Sequence, residues 1–390
     1  MSVKKDKPVL MRITTIPASM QVLLRGQVRF MGSNGFNVVM VSSDGAEVEA
    51  LKQQEGAPHY VIPFTRTISP FKDLKCLIML TRLMRKVKPD IVHTHTPKAG
   101  LIGMWAALFA GVPVRLHTIA GLPWMETSGM LRRLLKLVEK LTFFPATKVF
   151  PNSVMQKEFL AGNGIGRNKM EVLGNGSSNG IDTNYFSATE TRRSEAQRLR
   201  VNENIQPGAW IWIFIGRLVK DKGMEELLSA FKILHKEFPQ DRLWLLGKEE
   251  PELDPLGPVA AEILHSHPAI KKWGFVNDVR PYLAAAEVLV FPSYREGFPN
   301  VPMQAASMGC ALILSNINGC NEIVEDGKTG LLVPPKNETA LKEAMMRLRM
   351  EPELKRFLTE NTRANMVSRY DQQNLWNILL AKYREFLKLN

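Results

Sequence analysis

Three cysteines in 390 residues, at positions 76, 310 and 320, are too few and too scattered for a disulfide framework. No CxxC pair or histidine cluster accompanies them, so no metal site is indicated and a reduced, cytoplasmic setting fits best. Long apolar runs are missing as well. The longest, Leu101 to Val114, is about two-thirds of the ~20 residues a membrane crossing needs. The opening MSVKKDKPVLMRITTIP is basic at first, but its apolar part is short, broken by Arg12, and lacks a small-residue cleavage site. Neither a signal peptide nor a transmembrane helix is expected. No strand-like run is followed by G-x-G-x-x-G, which argues against a dinucleotide-dependent dehydrogenase. Helix-turn-helix, RNP and zinc-finger patterns are also absent, so nucleic acid is not an expected partner.

What is present is a chain too long for one hydrophobic core, with 45% hydrophobic and 23% charged residues. The formal charge of +13 is uneven: residues 1–187 hold 24 Lys/Arg against 12 Asp/Glu, while residues 188–390 hold 27 against 26. A basic first half suits an anionic partner such as an anionic lipid or a phosphorylated substrate; a solubilising surface bias is the plainer reading.

Short β-rich runs alternate with helical patterns, the mark of a doubly wound α/β sheet. Candidate strands in the first half are Val9–Thr15, Asn37–Ser42, Tyr60–Phe64, Asp90–Thr96, Val114–Ile119, Lys148–Asn152 and Met170–Leu173. The turn-rich GNGSSNGID, Gly174 to Asp182, ends that unit. The pattern restarts with Trp210–Ile215, Leu243–Leu246, Val288–Phe291, Ala311–Ser315 and Gly330–Val333. The spacing predicts domains over 8–187 and 188–370. An amphipathic helix follows over 371–390, its stripe expected to pack back on the first domain.

Two segments carry chemistry. Strand Trp210–Ile215 runs into GRLVKDKG, Gly216 to Gly223, and then into a helix from Met224. Glycine lets backbone approach closely, Arg217 offers a planar fork, and Lys222 a point charge just before a helix N-terminus: a plausible diphosphate clamp. In VFPSYREGFPNVPMQAASMG, Val290 to Gly309, Glu296 could accept hydroxyl hydrogen bonds from a sugar. Asn300 is a good N-cap, and Gln304 could bond a ribose. A plain capping loop with an exposed glutamate fits the same residues. In the first half His93 and His95 share one face of a strand. His95 and Lys98 lie where doubly wound sheets place ligands and could meet an acceptor or donor phosphate; core histidines are the alternative.

These motifs, in order, resemble the retaining glycosyltransferases of family 4, with the GT-B fold. The carriers are NGID at Asn179–Asp182, GRLVKDKG, REGFPNVPMQA in the place of the family's E-x7-E segment, and NGCNEIVEDGKTGLLVPP from Asn318 to Pro335. The first half, with KPDIVHTH at Lys88–His95, is similar more loosely. The resemblance implies two Rossmann-like domains facing across a cleft, and retaining, metal-independent transfer of a hexose or N-acetylhexosamine from a UDP-sugar. No cofactor beyond that donor is implied. It makes Arg217, Lys222 and Glu296 catalytic, and implies donor contacts at Gly216, Arg217, Lys222, Gly247, Phe275, Glu296, Gly297, Phe298, Pro299, Asn300 and Gln304. The acceptor it suggests is a polyprenyl-diphosphate-linked sugar or a saccharide. Helices Phe71–Lys88 and Met130–Phe144, mixing apolar and cationic side chains, would then sit on the inner face of the cytoplasmic membrane. Other readings are a nucleotide-sugar 2-epimerase of the same fold and a non-enzymatic basic binding module.

Three departures from the family pattern stand out. Gln304 replaces the second glutamate of E-x7-E. Ala120 stands where many members carry a histidine, and His117, three residues earlier, is expected on the opposite strand face. Thr14–Ser19 replaces the glycine-rich first loop.

Overall fold

The computed structural model describes residues 7–67, 69–125 and 127–389; the basic opening at residues 1–6 lies outside them. The chain forms two compact units, residues 1–180 with 372–390, and residues 181–371.

The first unit is built on six parallel strands: β1 (Val9–Ile13), β2 (Asn37–Ser42), β3 (His59–Val61), β4 (Ile91–Thr94), β5 (Val114–Ile119) and β6 (Lys148–Pro151), in the order β3-β2-β1-β4-β5-β6. Parallel strands are covered on both faces, which is why β1 and β2 read as nearly unbroken apolar runs. Met170–Leu173, expected as a strand, makes only an isolated bridge through Met170 to Val149. Gly166, Gly174 and Gly176 at positive φ turn the chain on either side of it, leaving no length for a ladder.

Helix Gln372–Leu387 belongs to this unit. Leu375, Leu379, Leu380 and Tyr383 are buried with Leu10, Phe36 and Phe150. Beneath them runs a buried polar network. The Arg12 guanidinium donates to His95 Nε2 (3.1 Å) and to the Tyr383 hydroxyl (3.0 Å), and Tyr383 shares a 2.6 Å hydrogen bond with His93 Nδ1. Trp376 Nε1 donates to Asn179 Oδ1 at 2.7 Å.

The second unit repeats the plan with β7 (Ile211–Ile215), β8 (Arg242–Leu246), β9 (Ile270–Gly274), β10 (Val288–Phe291), β11 (Ala311–Ser315) and β12 (Leu331–Val333), in the order β12-β11-β10-β7-β8-β9. The edge strand β9, with Lys271 and Lys272 at its centre, lacks an apolar run and escapes the sequence pattern. The break between units falls after Gly180 rather than after residue 187. Residues 181–187 are held by the second unit: Ile181 N donates to Tyr370 O (2.9 Å), and Arg363 donates to the carbonyls of Thr183 (3.3 Å) and Phe186 (3.2 Å).

Candidate active site

In the second unit the strand order reverses between β7 and β10, which pair directly, Val288 opposite Trp212 and Leu289 opposite Ile213. Loops leaving the carboxyl ends of two such strands diverge to opposite faces and leave a crevice suited to a ligand. Here those loops are 216–223 and 292–299. The loop after β8 joins them.

Two glycines make the close approach possible. Gly223 precedes helix Met224–Glu237 at φ +71°, and a Cβ there would lie 2.1 Å from the Pro292 carbonyl oxygen. Gly247 has φ +147°, and its Cβ would meet Gly216 O at 1.8 Å. Either side chain would push apart two loops that meet backbone to backbone.

The charged groups then converge. Lys222 Nζ lies 2.6 Å from Glu296 Oε1, and the Ser293 hydroxyl donates to the same oxygen at 2.9 Å. Arg217 Nη1 donates to Glu250 Oε2 at 3.4 Å, and its Nη2 lies 3.8 Å from Asp221 Oδ2. Asn318 Nδ2 donates to the Glu296 and Gly297 carbonyls (3.1 and 2.7 Å), fixing the loop that carries Glu296. Beside this cluster Gly216, Arg217, Gly247 and Phe275 line one pocket of about 260 Å³, with Lys248, Glu250, Val276 and Val279. The Phe275 ring is 69% exposed, and Lys248 Nζ sits 5.8 Å from its centroid. The pocket can therefore hold a flat apolar group against Phe275 and an anion against Arg217.

Several expected contacts need correction. Phe298 is buried against Tyr370, ring centroids 5.5 Å apart, so its ring belongs to the core and only its backbone is left to meet a ligand. Pro299 occupies the N-cap position and Asn300 is the first helical residue, with no side-chain cap bond; the Pro299 ring fixes φ there and moves the start by one residue. Gln304 is half-buried one turn further along the same helix.

In the first unit His95 is only 2% exposed, and burial holds its pKa well below the usual histidine value, with His93 and Arg12 adding to the effect. It is a neutral core side chain that accepts from Arg12. Lys98 Nζ donates to Thr65 Oγ1 (3.0 Å), to the Thr67 carbonyl and to Asp73 Oδ1 (2.8 Å), so its three protons are used within the unit. Neither presents a spare charge to a phosphate.

His117 was expected to face away from Ala120. Both line one small cavity of about 20 Å³, Ala120 lying just past the last strand residue, Ile119. Burial holds the His117 pKa down at about 4. Across the cavity lies Glu139, whose carboxyl is pushed up to about 7 by burial.

Asp221 and Ser293 lie inside the two motifs but were not singled out, and Glu250 lies outside both. The acid-dense run after β8, Lys248 to Asp254, was the available signal for Glu250, sitting at the ligand end of a parallel strand.

The family described as glycosyl transferases group 1 matches residues 210–350, and the glycosyl transferase 4-like domain matches residues 20–176. The chain is 34% identical over 367 residues to the capsular polysaccharide biosynthesis glycosyltransferase CapM of Staphylococcus aureus, covering 94% of each chain. It is 26% identical to an Escherichia coli UDP-Gal:α-D-GlcNAc-diphosphoundecaprenol α-1,3-galactosyltransferase, covering 86% of each. Among solved structures, Anabaena Alr3699/HepE in complex with UDP superposes with a TM-score of 0.81 at 18% identity, covering 97% of this chain and all of that one. The structural likeness concerns the fold: two Rossmann-like units, the GT-B architecture.

Proposed function

We propose, on the premise that this chain belongs to the glycosyltransferases of family 4, that it moves a sugar from a UDP-sugar to a lipid-linked or saccharide acceptor during polysaccharide assembly. The observation that carries the reading is the 2.6 Å approach of Lys222 to Glu296, which joins the loops after β7 and β10 into one site. In the transfer, the bond from the anomeric carbon to the diphosphate oxygen breaks. An acceptor hydroxyl oxygen takes its place on the same face, and the hydroxyl proton is released. Charge grows on the departing diphosphate, where Arg217, Lys222 and the N–H groups opening helix Met224–Glu237 would stabilise it electrostatically. In this reading no metal is required. Glu296, held by Ser293 and Lys222, would orient the donor sugar's hydroxyls. The sugar is a hexose or an N-acetylhexosamine.

The E. coli relative, named for a UDP-linked donor and a diphosphoundecaprenol-linked acceptor, supports the substrate classes. A lipid-linked acceptor also suits the first unit's surface. On helix Gly129–Phe143 the apolar residues Met130, Leu134, Leu137 and Leu141 form an exposed stripe flanked by Arg133 and Lys140; on helix Pro70–Val87, Phe71, Leu74 and Ile78 do the same beside Lys75 and Arg82. Among the described residues no helix is long and apolar enough to cross a membrane. Apolar stripes edged with cations suit adsorption to the surface of an anionic bilayer.

A ligand-observed binding screen across UDP, GDP and their sugars tests the donor. Binding of a UDP-sugar is the expected result; failure of every nucleotide to bind would remove the proposal. Flotation with phosphatidylglycerol vesicles at low salt tests the surface, and protein left at the bottom of the gradient would count against the lipid acceptor.

A further inference from the structure

We propose that Glu250 is a positioning residue for the donor diphosphate: in the free protein it holds Arg217 in the diphosphate's place, and donor binding makes it give way. The inference rests on the donor site proposed above and adds to it a residue that no motif contained. Glu250 is the one acid among the residues lining the 260 Å³ pocket. Its bond to Arg217 is long, 3.4 Å, between side chains that keep 28% and 42% of their exposure. Such a loose, wetted pair contributes little to stability. Its consequence lies in what it does to the guanidinium.

The Arg217 fork faces two carboxylate oxygens, Glu250 Oε2 on Nη1 and Asp221 Oδ2 on Nη2. Two oxygens on the two outer nitrogens is also how a guanidinium takes a phosphate. Asp221 is pinned. Its N–H donates to Asp254 Oδ2 at 2.6 Å, and its Oδ2 accepts from Arg295 at 3.1 and 3.3 Å. Glu250 has only its own side-chain rotamers to change, because its backbone carbonyl is tied into the turn by Leu253 N and Asp254 N. An arriving diphosphate would bring like charge within a few ångströms of the Glu250 carboxylate. The carboxylate must then swing out of the pocket, and it returns to Arg217 when the nucleoside diphosphate leaves. Glu250 thus keeps the guanidinium aimed into the pocket while weakening the grip on the spent product.

The test uses the full chain with Glu250→Gln, which keeps the shape and removes the charge. Titration calorimetry with UDP and with inorganic pyrophosphate, at low and high salt, reads the effect, and uridine serves as a probe lacking phosphate. The variant is expected to bind UDP and pyrophosphate about three- to tenfold tighter at low salt, since like charges at contact distance interact weakly but measurably in water. The gain should shrink at high salt, uridine binding should be unchanged, and kcat should fall if product release limits turnover. Tightening of this kind cannot come from misfolding. Unchanged or weaker UDP binding in the variant overturns the proposal. So does an equal change for uridine, which would make Glu250 a nucleoside contact. If the wild-type chain bound no nucleotide, the donor site itself would fall with it, a different and separable result.

Discussion

At Lys222 the carboxylate of Glu296 occupies one side of the ammonium, and the two groups keep only 15% and 17% of their exposure. Removing the lysine therefore does two things: it takes a cation from the leaving group and leaves Glu296 without its counter-charge. Lys222→Ala is expected to lower turnover by about 10²–10³, the range seen when one preorganised charge-stabilising donor is lost, with an unchanged circular dichroism spectrum. Arg217→Lys is expected to lose activity too, because an ammonium cannot replace a planar fork. Steady-state kinetics with a UDP-sugar checks both. Tyr383 is the counterpart in the first unit, a structural residue with no part in the chemistry. Its hydroxyl accepts from Arg12 and bonds His93, all fully buried. Tyr383→Phe strands those partners and should cost about 1–3 kcal/mol of stability, read by urea denaturation.

Among the elements, helix Gly129–Phe143 inverts the usual rule that an apolar stripe points inward. Its stripe of Met130, Leu134, Leu137 and Leu141 faces solvent, while the opposite side brings Val138, Glu139 and Thr142 over the cavity beside His117. That inner side also carries Phe143 and Leu135, packed on the first unit's core. Leu134→Ser with Leu137→Ser should abolish vesicle flotation without lowering the melting temperature, since both side chains are exposed. The inner face predicts a pH dependence. Burial raises the Glu139 carboxyl from 4.5 to about 7, so the folded state favours the protonated form. The resulting stabilisation is fully present below about pH 4.5 and is lost as pH rises through about 7. Neutral His117, with its pKa near 4, offers no compensating charge across that window. Urea midpoints should fall between pH 5 and 8 in the wild type, and Glu139→Gln should flatten that fall.

For the whole molecule, the chain leaves the first unit at Gly180, builds the second, and returns at Gln372. Four side chains of the returning helix are buried in the first unit's core. At roughly 1.5–3 kcal/mol for each buried large apolar side chain, the segment contributes on the order of the net stability of a whole domain. Truncation after Asp371 is expected to expose residues 1–180 to limited proteolysis while 181–371 resists; mass spectrometry of the fragments would decide it. The excess positive charge in residues 1–187 also belongs to this scale, since it accumulates in the unit that carries the exposed apolar stripes.

Local chemistry was enough to place most strands, because a strand buried on both faces is mostly apolar, as Ile211–Ile215 and residues 311–314 are. It also marked the glycines beside the cations and the return of the last helix. Strand β9 was hidden because an edge strand with two lysines carries no such run. Phe298 looked like a loop contact until Tyr370, far along the chain, was seen to cover it. His95 and Lys98 looked like free ligands until Arg12 took up Nε2 of the one and Asp73 the ammonium of the other. Glu250 gained a meaning only when β8 was laid beside β7, bringing its loop against Arg217. Residue type and spacing determine which groups could bind an anion. Which of them still face solvent with charge to spare is decided by long-range pairing, because a hydrogen bond or an ion pair forms between neighbours in space and leaves no periodicity in the chain.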